Sequence, residues 1–429
     1  MSGVLLGTLI LHDFHFIDSL YAIFNLFNTL LHEAWILKTL AFVILAGSII
    51  ALIEKSGGVN GFVEYVLHTK SLVKSERSAL FLSYFLGVVI FVETSITALV
   101  SGAVGKPLCD KYKIPHAKLA FICDSTSAPI SSLIILNGYG ALLLGLINTQ
   151  ISLGYIDGNA SAMLITTLKY NFYAIFALLV SFAFIYFSFD IGPMKNARYL
   201  PEKALNRNKH NASMFYMLLP VLLMIVFVFV FLYLTGNGDI LKGSGSSAIF
   251  YTMLTTLFFT FVYFIGTKNM TLRTWSHTAY SGAKHFVSIS FILLFAFAMG
   301  NVTGELQTGV YLSSFASSKL DVSLLGAVIF LLAALISFST GTSWGTFSIM
   351  MPIAVPMAAT MDANIALAIG AVISGGVFGD HCSPISDTTI ISSMAADCEV
   401  VEHVQTQLPY ALISGGLALL GFLAVPILF

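Results

Sequence analysis

The chain has 429 residues, of which 57% are hydrophobic and only 10% are charged, and its formal net charge is −1. Because soluble domains carry about 25% charged residues, this composition excludes a soluble protein and predicts one that crosses a membrane several times. No basic block indicates a nucleic-acid partner. The four cysteines (Cys109, Cys123, Cys382 and Cys398) have no metal-like spacing, and we interpret them as free, buried thiols.

Long apolar runs outline the fold. A spanning helix needs about 20 apolar residues, whereas a run of about 10–14 indicates a re-entrant or interfacial segment. The run 16–31 is expected to span, and 1–12 is too short to assign. The clear spans are 36–54, 161–189, 214–234, 248–266, 285–303 and 407–427.

Two pairs of shorter apolar runs meet at polar steps. In the first half, Glu93-Thr94-Ser95 separates the run 79–92 from the run 95–104. In the second half, residues 339–343 separate 323–338 from 343–360 in the same way. Each pair predicts a helical hairpin that enters the membrane and returns, over 79–104 and 323–360.

Two longer runs, 119–147 and 363–394, contain an aspartate, clustered hydroxyl residues and a proline. The aspartates are Asp124 and Asp380. Carboxylates at membrane depth are costly and normally face a cavity or an ion path. Proline among Ser and Thr also frees backbone carbonyls that can hold a cation. These runs therefore predict two discontinuous helices.

The distribution of Lys and Arg predicts how the halves are oriented. Basic segments are expected on the cytoplasmic side, and they are 70–77, 106–118, 195–210 and 268–284. The first hairpin then enters from the cytoplasm and the second from outside. We therefore predict an all-α polytopic membrane protein built as an inverted repeat. The first repeat is 1–190, the cytoplasmic linker 191–213 and the second repeat 214–429.

The second half contains two long motifs, Gly341-Thr-Ser-Trp-Gly-Thr-Phe-Ser-Ile-Met-Met-Pro352 and Gly379-Asp-His-Cys-Ser-Pro-Ile-Ser-Asp-Thr-Thr-Ile390, the latter followed by Gln407-Leu-Pro-Tyr410. These motifs resemble those of the NhaC family of sodium/proton antiporters. The stretch Lys118 to Pro129 is similar to the family's first-half signature. Glu93-Thr94 departs from the paired aspartates common at the first tip, which leaves the number of coupled cations and the solute open.

The resemblance also implies a division of labour within the fold. The two hairpins and the two broken helices would form a mobile transport domain. The spans near 36–54, 214–234 and 248–266 would form a scaffold domain, which is often dimeric in the family. Family members carry amino acids or carboxylates as well as sodium and protons.

The interruptions supply the hard oxygens that a sodium ion needs. Asp124 and Asp387 are the expected sodium-binding carboxylates. The first predicted site contains Asp124, Ser125, Thr126 and the tip residues Thr94 and Ser95. The second contains Asp380, Ser383, Asp387, Thr388 and the tip residues Thr342 and Ser343. The alternatives are helix capping for each aspartate and, for each hydroxyl, a bond to its own or a neighbouring helix.

Four further residues are candidates near these sites. Glu93 at a desolvated hairpin tip suits a proton-exchanging group or a contact to a cationic solute, and an ion pair with a lysine is the alternative. His381 is expected to orient the site by hydrogen bonding, or else to carry protons. Asn137 is a solute contact or a helix-packing residue, and Trp344 lines or gates the cavity or packs.

We expect a secondary transporter that exchanges sodium for protons by alternating access, without a cofactor beyond these coupled substrates. The alternative is sodium-coupled uptake or exchange of an amino acid or small organic acid. An ATP-driven pump is not expected, because no phosphate-binding loop occurs. An enzyme is not expected either, because the Asp380-His381…Ser383 cluster is contiguous, unlike a catalytic triad. The expected partners are the lipid bilayer and a second copy through the scaffold helices, in a bacterial plasma (inner) membrane.

Overall fold

The computed structural model describes residues 2–58, 61–62, 64–65, 73, 75–91, 94–135, 137–199, 213–239, 243–307, 311 and 321–428. In these ranges the regular structure is helical and no strand occurs. Eight helical segments among them are long and apolar enough to cross a membrane. The predicted class, an all-α multi-pass membrane protein, is confirmed.

The first half begins with helices that precede the first hairpin. These are α1 (Ser2–Leu11), α2 (Phe16–His32) and α3 (Ala34–Lys55). The remaining helices of this half are α4 (Glu76–Val89), α5 (Thr94–Tyr112), α6 (His116–Ser125), α7 (Ala128–Leu133), α8 (Gly138–Ser152), α9 (Ala160–Leu168) and α10 (Phe172–Phe187).

The second half also places three helices before its hairpin. It begins with α11 (Phe215–Thr235), α12 (Gly245–Gly266) and α13 (Leu272–Glu305). They are followed by α14 (Leu325–Thr340), α15 (Ser343–Thr360), α16 (Ile365–Cys382), α17 (Asp387–Ala396) and α18 (Val400–Leu428).

Both predicted hairpins are present, as α4 with α5 and as α14 with α15, and the arms of each pack together. The second arm of the first hairpin runs further than predicted, since α5 continues to Tyr112, whereas α15 ends at Thr360 as predicted. The second tip turns at Gly341, whose φ is +66°. A Cβ there would lie 2.8 Å from the carbonyl oxygen of Ile385, so the tip requires glycine on both counts.

Both predicted discontinuous helices are present, but the first is interrupted twice. The short break between α6 and α7 follows Asp124, and Pro129 lies at the start of α7. A second break separates α7 from α8, which is capped by Asn137.

The span predicted over 161–189 is also interrupted. Helix α9 ends at Leu168 and α10 begins at Phe172. Asn171, in the gap, is completely buried and donates to the hydroxyl of Ser132 over 2.8 Å. The chain leaves the helix there because a buried amide must satisfy its own hydrogen bonds.

The two halves interlock around the interruptions. Helix α17 packs against α5 and α6 of the first half, and α8 packs against α15 of the second. Outside this core, α3 and α13 cross in direct contact. A Cβ on Gly282 would lie 2.3 Å from the carbonyl oxygen of Gly47, so small residues permit this close approach.

The cysteine prediction is confirmed in its main point. All four thiols are free; Cys109, Cys123 and Cys382 are buried, and Cys398 is partly buried.

Candidate functional site

Asp124 is the most enclosed carboxylate of the described chain, with no exposed surface at the end of α6. Its Oδ2 accepts a hydrogen bond from Gln407 Nε2 at 2.7 Å. His403 Nε2 and Thr389 Oγ1 also approach Oδ2, at 3.3 and 3.4 Å. Its Oδ1 lies 3.6 Å from His381 Nε2 and has no hydrogen-bond partner among the described residues.

The groups around Asp124 all come from the second half of the chain. Gln407 and His403 are four residues apart on α18, so they share one face of that helix. Thr389 lies in the first turn of α17, and His381 in the last turn of α16. The first predicted site is therefore assembled across the two halves.

His381 links Asp124 to a second buried group. Its Nδ1 lies 3.0 Å from the hydroxyl of Tyr173, and its Nε2 lies 2.9 Å from the backbone oxygen of Asp124. Gln407 donates to the carbonyl of His381 over 2.8 Å. Together with His403, these side chains form a continuous buried polar chain. The orienting role predicted for His381 agrees with this geometry.

Asp380 forms a separate centre near the end of α16, where it is only 1% exposed. Its Oδ2 accepts a hydrogen bond from Ser343 Oγ at 3.0 Å, and Ser343 Oγ lies 2.7 Å from the hydroxyl of Tyr139. The hydroxyl of Ser386 lies near this carboxylate. Its Oδ1 has no partner in the described part of the chain. The predicted pairing of Asp380 with the second tip is therefore present.

The other residues of the second predicted site surround Asp380 in different ways. Ser383 donates to the carbonyl of Phe338, which fixes the interruption against α14. Thr342 caps α15 by accepting from Gly345 N at 3.4 Å. Hydroxyl groups thus support the backbone on both sides of the carboxylate.

The start of α17 carries two further predicted residues. Asp387 is its first residue and is exposed, and its Oδ1 accepts the backbone N–H of Thr388 at 2.8 Å. The Thr388 hydroxyl is buried and lies 3.1 Å from that of Ser386. A carboxylate at a helix start is stabilised by the free N–H groups there.

The hydroxyl residues predicted beside Asp124 have other partners. Thr126 donates to the carbonyl of Ile122 in its own helix over 2.8 Å. Ser125 is buried, and no hydrogen bond joins it to Asp124 in the described structure. Thr94 is buried at the start of α5, whereas Glu93 and the side chain of Ser95 lie outside the described residues.

Asn137 and Trp344 shape the region next to Asp380. Asn137 caps α8 and donates to the carbonyls of Phe91 and Ser131, over 3.1 and 2.8 Å. The ring of Trp344 meets that of Tyr139 edge-on, with centroids 5.5 Å apart. Asn137 therefore ties the start of α8 to α7 and to the first hairpin tip, and Trp344 packs α8 against the second hairpin.

His403 received no role from the sequence, and Gln407 appeared there only as part of a family motif. Their four-residue spacing was a usable signal, since it places both polar groups on one face of an apolar helix. A related polar cluster was also missed. Asn171 accepts from Ser374 at 3.1 Å and donates to Ser132, and it links α16 to the first half.

The two centres differ in the atoms that they present. Around Asp124 the closest groups are mostly nitrogen donors, whereas around Asp380 they are hydroxyl oxygens. The described residues contain no group of three or more His, Cys, Asp or Glu side chains suited to holding a metal ion. A hard cation at Asp380 would therefore rely on carboxylate, hydroxyl and backbone oxygens.

Comparison with known proteins bears on this arrangement. The sequence profile of the Na+/H+ antiporter family matches residues 137–427. An uncharacterised protein of Haemophilus influenzae is 31% identical over 448 residues, which cover 99% of this chain and 86% of that protein. The malate-2H(+)/Na(+)-lactate antiporter of Bacillus subtilis is 39% identical over 85 residues, 19% of this chain and 18% of its own.

The fold is similar to that of the YdaH transporter of Alcanivorax borkumensis, whose topology was described as unusual. The TM-score is 0.64 at 14% sequence identity, over 95% of this chain and 88% of that chain. At this identity the similarity concerns the fold alone. It supports the inverted repeat with two hairpins and two discontinuous helices.

Proposed function

We propose that this chain, which belongs to the Na+/H+ antiporter family, exchanges sodium ions for protons by alternating access. One observation carries the proposal. Asp124 and Asp380 are both buried where the two halves interlock, and in the described structure each has an oxygen without a hydrogen-bond partner.

A buried carboxylate with an unsatisfied oxygen is stable in two states, one with a bound proton and one with a bound cation. Leaving it charged and unpaired costs several kcal/mol, because the low-dielectric surroundings replace water. A bound proton or a bound cation each removes that cost. Exchange of sodium for protons requires only that the two compete for such a group.

The surroundings of the carboxylates suggest which ion each one prefers. Sodium is a hard cation that takes oxygen ligands, and Asp380 has the hydroxyls of Ser343 and Ser386 beside it. Asp387, at the exposed start of α17, would attract the cation toward this centre. Nitrogen donors surround Asp124 instead and leave few oxygen ligands for a cation, so we assign proton release and uptake to the Asp124 carboxylate.

The test uses purified protein in liposomes that enclose a pH indicator. An external sodium pulse, without any organic solute, should make the lumen alkaline as sodium enters and protons leave. Asp124→Asn and Asp380→Asn should each abolish this change. Asp157→Asn, at an exposed position in the loop before α9, is the matched control and should exchange normally.

Two results would count against the proposal. Wild-type exchange in Asp124→Asn would remove that carboxylate from the mechanism. A wild-type lumen that stays silent until an organic acid or amino acid is added would replace sodium/proton exchange with solute transport.

That second outcome corresponds to the rival function, sodium-coupled exchange of a small organic acid. Two buried imidazoles beside Asp124 favour it, because the ring N–H groups of His381 and His403 could donate hydrogen bonds to a substrate carboxylate. The similarity to a malate/lactate antiporter points the same way. Radiolabelled malate and lactate uptake under a sodium gradient distinguishes the two functions.

We further propose that the chain is not an enzyme, needs no cofactor and works in a bacterial inner membrane. Lipid and a second copy through α3, α11 and α12 are the proposed partners, and nucleic acid is not. These helices pack on one another away from the carboxylates, as a scaffold would.

A further inference from the structure

A groove of about 590 Å³ opens between the end of α3 and the first turns of α13, away from both carboxylates. Its lining includes Lys55, Arg273, Thr274, Ser276, His277 and Tyr280. The loop before α13 is tied to the end of α3, since Asn269 donates to the carbonyl of Ser56 over 3.1 Å. The groove therefore lies between two elements held in fixed relation.

The lining is positively charged along one stripe. Arg273, His277 and Tyr280 follow one another at helical spacing, so they lie along one side of α13. All three are exposed, as is Lys55. No aspartate or glutamate occurs in residues 268–284, and Glu54 is the acidic neighbour at the end of α3.

The groove lies at the depth of lipid head groups. Helix α3 has 22 residues, which at about 1.5 Å each nearly equal the hydrocarbon thickness of about 30 Å. Lys55 is its last residue, so a bilayer spanned by α3 would end near it. Helices α3 and α13 are antiparallel, because the Ser48 hydroxyl donates to the carbonyl of Ala279 and the Ser290 hydroxyl donates to the carbonyl of Leu40. Arg273 therefore lies at the same boundary, with Tyr280 69% exposed beside it.

We propose that this groove binds the head group of an anionic phospholipid of the surrounding bilayer. Lys55 and Arg273 would pair with the phosphodiester, and the hydroxyls of Thr274 and Ser276 would donate to its oxygens. Basic pockets between membrane helices at this depth bind anionic head groups for these reasons. The acyl chains would lie along the apolar exposed surface of α3 and α13. The site is independent of the proposed ion exchange.

The experiment compares lipids of the same acyl chains. Protein is reconstituted with equimolar phosphatidylglycerol and phosphatidylcholine, washed with detergent, and its retained lipids are quantified by mass spectrometry. Wild type should retain phosphatidylglycerol selectively. In the double variant Lys55→Gln/Arg273→Gln, the selectivity for phosphatidylglycerol over phosphatidylcholine should fall about fivefold for each charge removed, or roughly 25-fold in all.

Two controls keep the result specific. Lys195→Gln/Arg198→Gln removes the same charge from an exposed segment elsewhere and should retain phosphatidylglycerol as wild type does. The charge-preserving pair Lys55→Arg/Arg273→Lys should also retain it, and size-exclusion chromatography monitors folding of every variant.

Three outcomes would overturn the proposal. They are undiminished selectivity in the double Gln variant, equal loss in the control pair, and displacement of phosphatidylglycerol from wild type by inorganic phosphate. The last would show that the groove takes a soluble anion instead of a lipid.

Discussion

Replacing Gln407 by methionine should move the pH profile of exchange upward while leaving the protein folded. The side chain donates to Asp124 Oδ2 at 2.7 Å and to the carbonyl of His381 at 2.8 Å. Methionine is unbranched and of similar size, so it fills the same space without donating either bond. The change therefore removes hydrogen bonds without opening a cavity.

The size of the shift follows from the bond to the carboxylate. A hydrogen bond to a charged group contributes about 1.5–3 kcal/mol, and it stabilises the carboxylate but not the protonated acid. Its loss favours the protonated form by that amount. Since about 1.4 kcal/mol corresponds to one pH unit, the midpoint of proton release should rise by about one to two units.

The assay is sodium-driven alkalinisation of liposomes, measured across a series of pH values at saturating sodium. Gln405→Met is the matched control, because Gln405 is exposed on the same helix and should leave the midpoint unchanged. An unaltered or lowered midpoint in a folded Gln407→Met protein would refute the role given to this bond.

Two further predictions concern the second hairpin. Ser343→Ala removes the donor to Asp380 Oδ2 and should weaken the apparent sodium affinity by about tenfold. The control Ser339→Ala, at an exposed position of the same hairpin, should keep the wild-type affinity. Equal sodium titrations of both variants would contradict the assignment. Gly341→Ala forces a positive φ on a residue with a Cβ and should destabilise the fold by about 1–2 kcal/mol. The measurement is the melting temperature, which should fall. The control Gly266→Ala, whose Cβ would meet no neighbour within 4 Å, should melt like wild type.

The hairpins could be predicted from the sequence because their signal is local. Run length, a polar tip and Gly341 are all read within one segment, and the structure reproduces both hairpins. The breaks before α8 and before α10 carried no such signal. Ile134 and Ile135 are apolar. The ends of these helices are explained only by Asn137 and Asn171, which donate hydrogen bonds to a backbone carbonyl and to a hydroxyl group.

The neighbours of Asp124 could not be predicted for a different reason. His403 and Gln407 are more than 270 residues away in sequence, so their contact depends on how the two halves interlock. The sequence indicated that a charged Asp124 at membrane depth would be energetically unfavourable without polar partners. It could not identify those partners, because similar hydroxyl residues were available nearby and turned out to bond their own helix instead.

The two carboxylates lie at the two contacts through which the halves interlock, and this placement bears on how ion binding would couple to movement. Thr389 of α17 reaches Asp124 of α6, across the first contact. Tyr139 of α8 reaches Asp380 through Ser343, across the second. Any rearrangement that separates α17 from α6, or α8 from α15, must break one of these bonds. In the proposed cycle, the free-energy cost of separating these helices therefore depends on what each carboxylate binds. An ion that replaces the broken hydrogen bond lowers this cost, and an unoccupied carboxylate raises it.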